Sequence, residues 1–278
     1  MLASRINRLE KAEALVSFGA GDYESTVIGF VCPKSKLLIS TYHLVSGVWE
    51  PTVKEPTVFF PRIVKPMFLS PKRFMALIGG RGSGKTLVEG DHGLINMHDL
   101  GRNMMCIREF QSSVADSVHA VLNSEIKRLE LDNSDVTERT VKFTHNNSMA
   151  RFMGLSRNPE SVKSAFGFLD WWVEEAQFLS EKSLRVLTPT ARKKPKKGLP
   201  GKQKEVDTNE VNMGDVRMVF CANPASSEDP FSQRFIVPFK SELDSCGVYE
   251  DDLHLIIKMN WSDNPWFDES GLEEERLF

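Results

Sequence analysis

Apolar positions along this chain recur with two spacings, and each switch between them marks an element. Leu2, Ile6, Leu9 and Val16 fall near helical spacing with Arg and Glu between them, which predicts an amphipathic helix over 2–17. Thr26–Cys32 and Leu37–Val45 are rich in β-branched and aromatic residues and predict two strands. Pro51, Pro56, Pro61 and Pro66 then punctuate the chain. Residues 1–66 therefore read as a small appended region that ends in an extended connector. A five-residue apolar run, Phe74–Ile78, is short enough for a buried strand. Helical spacing follows from Lys85 to Asp99, with Leu94, Ile95 and Met97 apolar and Gly101 as the stop. Gly90 and Gly93 inside that helix each cost up to about 1 kcal/mol against Ala, which close packing on a neighbouring backbone would explain.

Further on, Asn103–Ile107 predicts a second buried strand. Val114, Val118, Val121, Leu122, Ile126 and Leu129 trace one face of a long helix, with Ser112 and Ser113 placed to cap it. Thr140–Thr144 and Ser148–Met153 read as paired strands about the turn His145-Asn146-Asn147. Phe168–Glu175 (F-L-D-W-W-V-E-E) is a strand ending in two carboxylates, followed by a helix from about Ser180 to Leu187. Val216–Cys221 is a fully apolar strand ending at Ala222-Asn223-Pro224, and Leu253–Met259 is the last clear strand. Buried strands alternating with helices predict an α/β fold with a central, mostly parallel sheet flanked by helices, occupying residues 67–278. Ligands of such sheets gather at the carboxyl ends of the strands.

The stretch Arg73–Leu87, R-F-M-A-L-I-G-G-R-G-S-G-K-T-L, gives that sheet its chemistry. Gly79–Thr86 fits G-x-x-x-x-G-K-[ST] directly after a strand and before a helix, the pattern of a phosphate-binding loop. Gly79, Gly80, Gly82 and Gly84 allow tight turns and bring bare N–H groups to an anion, with Arg81 and Ser83 between them. Lys85 serves the β/γ-phosphates, Thr86 offers a hydroxyl to Mg²⁺, and the helix N-terminus adds positive potential. ATP and Mg²⁺ are the cofactors this implies.

Hydrolysis needs more than the loop: a carboxylate to hold Mg²⁺ or its water, a group to orient the attacking water, and positive charge for the γ-phosphate. Glu174 suits the first role and Glu175 the second, provided the backbone turns there, because neighbouring strand residues face opposite sides. The alternative is that both acids merely favour the start of the next helix. Asn223, at the tip of the next strand, reads either as a sensor of the γ-phosphate or as a turn-forming Asn before Pro224. Arg81 either reaches the phosphates or faces solvent.

With 278 residues, 41% apolar and 26% charged and a formal net charge of −3, the chain accommodates one large α/β domain plus an appendage. The overall charge does not decide for or against a nucleic-acid partner, so local clusters must. One does stand out: Arg192 to Lys204, R-K-K-P-K-K-G-L-P-G-K-Q-K, with seven positive residues and no acid. It reads as a loop for DNA phosphates, through Arg192, Lys193, Lys194, Lys196 and Lys197, or as a solvated surface loop. Cys32, Cys106, Cys221 and Cys246 contain no C-x-x-C. Three of them lie in apolar runs, which predicts buried reduced thiols in a cytosolic protein. No run of 18 apolar residues exists, and the charged N-terminus lacks a signal-peptide core, so no membrane role is expected.

Taken together, G-G-R-G-S-G-K-T, C-I-R-E-F-Q-S-S-V-A-D-S-V, M-G-L-S-R-N-P-E-S-V-K-S, W-W-V-E-E-A, A-N-P and M-N-W-S-D-N-P-W-F occur in an order that resembles the ATPase domain of the large terminase subunit of tailed bacteriophages, over about residues 74–267. The resemblance implies a P-loop NTPase of the ASCE/RecA-like class that drives double-stranded DNA into a procapsid. It implies Gly79–Thr86 as the Walker A loop with Arg81 at its basic position, Glu174 as the Walker B acid, Glu175 as the catalytic glutamate and Ala222-Asn223 as the coupling motif. It also implies a homo-oligomeric ring on the portal protein, a small terminase subunit as partner, and action in the cytoplasm of an infected bacterial host, transiently at the procapsid portal. Members typically carry an RNase H-like nuclease domain, for which 278 residues leave no room, so the expectation is an isolated motor domain without a nuclease site, or cutting supplied elsewhere. Lys163, Arg157, Arg108 and Arg192 stand as candidates for an arginine finger acting in trans. Other nucleic-acid ATPases, helicase- or recombinase-like, and non-motor nucleotide binders are the alternatives. The absence of N-K-x-D disfavours a GTP switch.

Overall fold

The computed structural model describes residues 26–45, 47–70, 72–110, 118–165, 167–190 and 216–267. The helix expected over 2–17, the caps Ser112 and Ser113, and the basic run from Arg192 lie outside them.

Four strands come first: β1 (Val27–Val31), β2 (Leu38–Val45), β3 (Val48–Thr52) and β4 (Val58–Pro61), in the sheet order β3-β2-β1-β4. The expected connector is thus two strands. Pro51 is tolerated because β3 is an edge strand, and Pro61 ends the other edge. A short helix, α1 (Lys65–Leu69), leads into the main domain. Among the described residues the small sheet has no core of its own. Ile28, Phe30, Val58 and Phe60 pack with Phe68 of α1 into the same apolar cluster as Met75 and Leu77 of the next strand.

That strand, β5 (Phe74–Ile78), begins the large sheet. The chain continues through α2 (Lys85–Leu100), β6 (Met104–Arg108), α3 (Ala120–Arg128), β7 (Ser134–Val136), β8 (Thr140–Phe143), β9 (Met149–Gly154), β10 (Asp170–Val173) and α4 (Glu181–Thr190). It ends with β11 (Arg217–Ala222), α5 (Pro230–Phe235), α6 (Lys240–Cys246), β12 (Val248–Glu250) and β13 (His254–Lys258). The sheet order is β12-β13-β5-β11-β10-β6-β9-β8-β7. Neighbours from β13 to β9 run parallel, and β12, β8 and β7 add antiparallel edges. The strand that carries the glycine loop is separated from the strand that carries the two acids by β11.

Alternation along each central strand divides the core. Met75, Leu77, Cys106, Trp172, Val219 and Cys221 face α2, α3 and the small sheet. Phe74, Ala76, Ile107, Val173 and Phe220 face α4, α5 and α6. Both faces are buried, which is why these strands read as unbroken apolar runs. Gly90 and Gly93 are explained by side chains rather than backbone: a Cβ at Gly93 would lie 2.5 Å from Met104 Sδ, and one at Gly90 3.1 Å from Val121 Cγ1.

Two polar devices hold α2 and β10 in place. The β8–β9 turn caps the end of α2, with Asn146 Nδ2 donating to the carbonyls of Met97 and His98 and Ser148 Oγ to that of Met97, each at 2.8 Å. At the start of β10, buried Asp170 accepts from Arg102 Nε at 2.7 Å and Nη2 at 2.6 Å. Of the three cysteines expected to be buried, Cys106 and Cys221 are, whereas Cys32 is half-exposed at the end of β1. All four thiols are free. Among the described residues no helix is long and apolar enough to cross a membrane.

Candidate nucleotide site

Strand register aligns the carboxyl ends of the central strands. Ile78 pairs with Ala222, and Val173 lies between Phe220 and Ile107, so Gly79, Asn223, Glu174 and Arg108 emerge along one edge. The glycine loop leaves β5 with the Gly79 N–H on the Ala222 carbonyl at 3.1 Å. Gly82 and Gly84 adopt φ of 75° and 84°, in the left-handed region that favours glycine. Gly82 is also pinned by space, because a Cβ there would meet the Phe267 ring at 2.2 Å. Gly80 differs from the expectation: its φ is not positive and a Cβ there would meet nothing within 4 Å, so its glycine is not required by the turn. Gly84 caps α2 with no side chain over the helix N-terminus, which leaves that positive end to an anion.

Lys85 is buried within the loop. Its Nζ donates to the carbonyls of Gly79 at 2.7 Å and Gly80 at 2.9 Å and to Ser83 Oγ at 2.9 Å. Burial lowers its pKa against the opposing pull of Cys221, Glu174 and Glu175. Arg81 is exposed and makes no ion pair among the described residues. Asn264 Nδ2 donates to the Gly82 carbonyl at 2.9 Å, which ties the loop to the segment after β13.

The two acids leave β10 in different ways. Glu174 is 7% exposed and turns towards α2, where Thr86 Oγ1 donates to Oε1 at 2.8 Å and Trp172 Nε1 donates to Oε2 at 2.8 Å. Burial raises its pKa. The Thr86 and Trp172 hydrogen bonds counter that, Glu175 adds to it, and Arg108 opposes it. At Glu175 the backbone turns into the left-handed region, φ 52° and ψ 46°, which is the break needed for adjacent residues to divide their roles. Its side chain is 36% exposed, with Oε1 3.4 Å from Arg108 Nη2 and Oε2 accepting from Gln177 Nε2. Arg108, a candidate for a finger acting in trans, is thus engaged within its own chain. Lys163 pairs with Glu160.

Asn223 is exposed at the tip of β11, and its N–H donates to Gln177 Oε1 at 3.0 Å. The structure therefore gathers Gly79–Thr86, Glu174, Glu175 and Asn223 at one edge, while Arg192, Lys193, Lys194, Lys196 and Lys197 lie outside the described residues. Trp172, Gln177 and Asn264 join the site without having been expected there. Trp172 was legible in principle, because residues two apart on a strand share a face. Gln177 carried no local signal, and Asn264 lay within the M-N-W-S-D-N-P-W-F stretch without a role assigned to it.

Thr86 and Glu174 together present hard oxygen donors, and among the described residues no cluster of three or more His, Cys, Asp or Glu forms a metal cage. That donor set suits Mg²⁺, which keeps waters and substrate phosphates as most of its ligands.

Comparison with known proteins gives the family and the fold. The family model for the phage terminase large subunit matches residues 71–275. The large terminase from a thermophilic bacteriophage superposes with a TM-score of 0.53 at 14% identity, covering 77% of this chain and 48% of that one. The same protein in complex with ADP gives 0.52 at the same identity and coverage. The N-terminal domain of the DNA packaging ATPase from bacteriophage phi29 gives 0.48 at 15% identity, covering 67% and 90%. The chain thus spans about half the length of the thermophilic phage terminase, 48% of it, and at such identity the likeness speaks to the fold. No curated protein sequence matches the chain. With the family match running from just before β5 to beyond the last described residue, the chain belongs to the phage terminase large subunit family.

Proposed function

We propose that this chain is the ATPase domain of a viral DNA-packaging motor, coupling ATP hydrolysis to translocation of double-stranded DNA into a procapsid. The observation that carries the reading is the 2.8 Å hydrogen bond from Thr86 to Glu174. It joins the phosphate loop to a strand-end carboxylate 88 residues away. Family membership gives the reaction its context.

The chain's own groups divide the work. The loop amides from Gly79 to Thr86 and the open N-terminus of α2 hold the phosphates, and Lys85 exchanges its carbonyl partners for phosphate oxygens. Thr86 and Glu174 would hold Mg²⁺, which would supply charge neutralisation for the phosphates. Glu175, more exposed than Glu174 and turned out of the strand, orients the attacking water. Asn223 lies where the adjacent strand tip senses the γ-phosphate, and Arg81 is free to reach it. Duplex DNA engages the basic run from Arg192 to Lys197. The portal protein, a small terminase subunit and a homo-oligomeric ring on the portal are the proposed partners, in the cytoplasm of an infected bacterial host.

Lys85→Ala and Glu175→Ala test this together. Loss of the positioned base lowers turnover by about 10²–10⁴-fold. Glu175→Ala is expected to lose hydrolysis while still binding ATP, and Lys85→Ala to lose both. Hydrolysis at the parental rate by Glu175→Ala removes the catalytic assignment.

A further inference from the structure

Gln177 occupies a place that neither the loop nor the acid pair explains. It lies in the 3₁₀ turn Ala176–Phe178 that follows Glu175, half-buried between buried Ala176 and exposed Phe178. Its side chain spans the gap between two neighbouring strand ends. On one side Nε2 donates to Glu175 Oε2. On the other, Oε1 accepts the Asn223 main-chain N–H at 3.0 Å.

The orientation of this amide is dictated by its partners. A carboxylate only accepts and a main-chain N–H only donates, so the reversed amide would set oxygen against oxygen and N–H against N–H. Each end of Gln177 therefore has a single satisfactory partner. Glu175 is held on both oxygens, with Arg108 at Oε1 and Gln177 at Oε2. Gln177 continues from this carboxylate to the main chain just beyond β11. The contact on β11 is main chain, so it reports the position of the strand tip whatever the Asn223 side chain does.

We propose that Gln177 is a positioning residue that sets the orientation of Glu175 and links it mechanically to the tip of β11 at Asn223. The proposal rests on the reading of Glu175 as the group that orients the attacking water. Displacement of Asn223 pulls on Oε1, turns the amide and withdraws its N–H from Glu175, so the state of the strand tip and the alignment of the carboxylate change together. Because the partners of the amide are the carboxylate and a main-chain N–H, its loss is expected to fall on turnover and not on ATP affinity.

The test is steady-state ATP hydrolysis by the full chain carrying Gln177→Met or Gln177→Glu, measured across pH beside thermal melting. Gln177→Met keeps the length and loses both hydrogen bonds. It is expected to lower kcat about tenfold, the size of one charge-assisted hydrogen bond, with KM for ATP unchanged. Gln177→Glu keeps an acceptor for Asn223 but sets a second carboxylate against Glu175. Like charges sharing a site raise one pKa, so its kcat is expected to be lowest near about pH 8 and to recover towards about pH 6, where the protonated carboxyl again donates. A merely structural role would not produce that opposite pH trend. Parental kcat in both variants, a change confined to KM, or an unshifted pH profile for Gln177→Glu would each overturn the linkage and leave the hydrolytic reading standing. Absence of ATP hydrolysis by the parental chain would instead remove the reading beneath it.

Discussion

The buried ion pair beneath β10 allows a prediction worked from geometry. Arg102 and Asp170 are 2% and 4% exposed and meet through two charge-assisted hydrogen bonds of 2.7 and 2.6 Å. Arg102→Met removes one partner and leaves a carboxylate buried at the start of the strand whose far end carries Glu174. Breaking such a pair costs about 3–5 kcal/mol, because the remaining charge has lost its compensation. A loss of about 4 kcal/mol corresponds to a fall in Tm of roughly 8–16 °C. Replacing both partners by apolar residues, Arg102→Met with Asp170→Leu, should recover most of the loss. The pH dependence has a defined sign. Burial pushes the Asp170 pKa up, but the Arg102 guanidinium, with its hydrogen bonds and the Arg217 charge, holds it below the usual value. A depressed folded pKa gives stability that is present above the unfolded value of about 3.9 and is lost as pH falls through the folded one. In Arg102→Met the desolvated carboxyl is instead raised, so its penalty is full at neutral pH and vanishes on protonation. The deficit between parent and variant should therefore shrink from about pH 7 to about pH 4. Urea denaturation at several pH values measures it. A deficit under about 1 kcal/mol at neutral pH, or one that grows in acid, would refute the argument.

Trp172→Phe removes the indole donor that counters the burial of Glu174, so the already raised pKa of that acid should rise further and the acid limb of the kcat/KM profile should move to higher pH; an unmoved limb refutes the assignment. Neutralising Lys193, Lys194, Lys196 and Lys197 should weaken duplex binding and flatten its dependence on log salt by up to about 3–4, at about 0.9 per lost phosphate contact. An unchanged slope returns that run to a solvated surface loop.

Legibility differed from element to element, for physical reasons. The strand β5 and the Gly79–Thr86 loop were readable because an apolar run, a glycine series and a helix start are all local patterns. The helix α2 and its Gly101 stop followed from periodicity, and Gly101 adopts φ 63° as such a stop requires. Short elements escaped. The helix α5 is six residues long, although Asp229 caps it through the Ser232 N–H and Pro230 follows at its first position. Of the small sheet, β1 and β2 are legible as strands, whereas β3 and β4 fall in the proline-marked connector, because edge strands tolerate proline and their pairing partners are distant in sequence. The glycines were overcounted, since Gly80 has neither the backbone angle nor the crowding that Gly82 shows.

The chain by itself determined an α/β protein with a phosphate loop after its first central strand and two acids after a later one. Only the tertiary structure decided that Glu174 reaches Thr86, that the backbone breaks at Glu175, and that Gln177 spans from this acid to Asn223. The reason is range. Hydrophobic period and turn chemistry act over a few residues, whereas strand order is set by burying both faces of the sheet at once. Contacts between residues 46 or 88 positions apart exist only after that order is fixed.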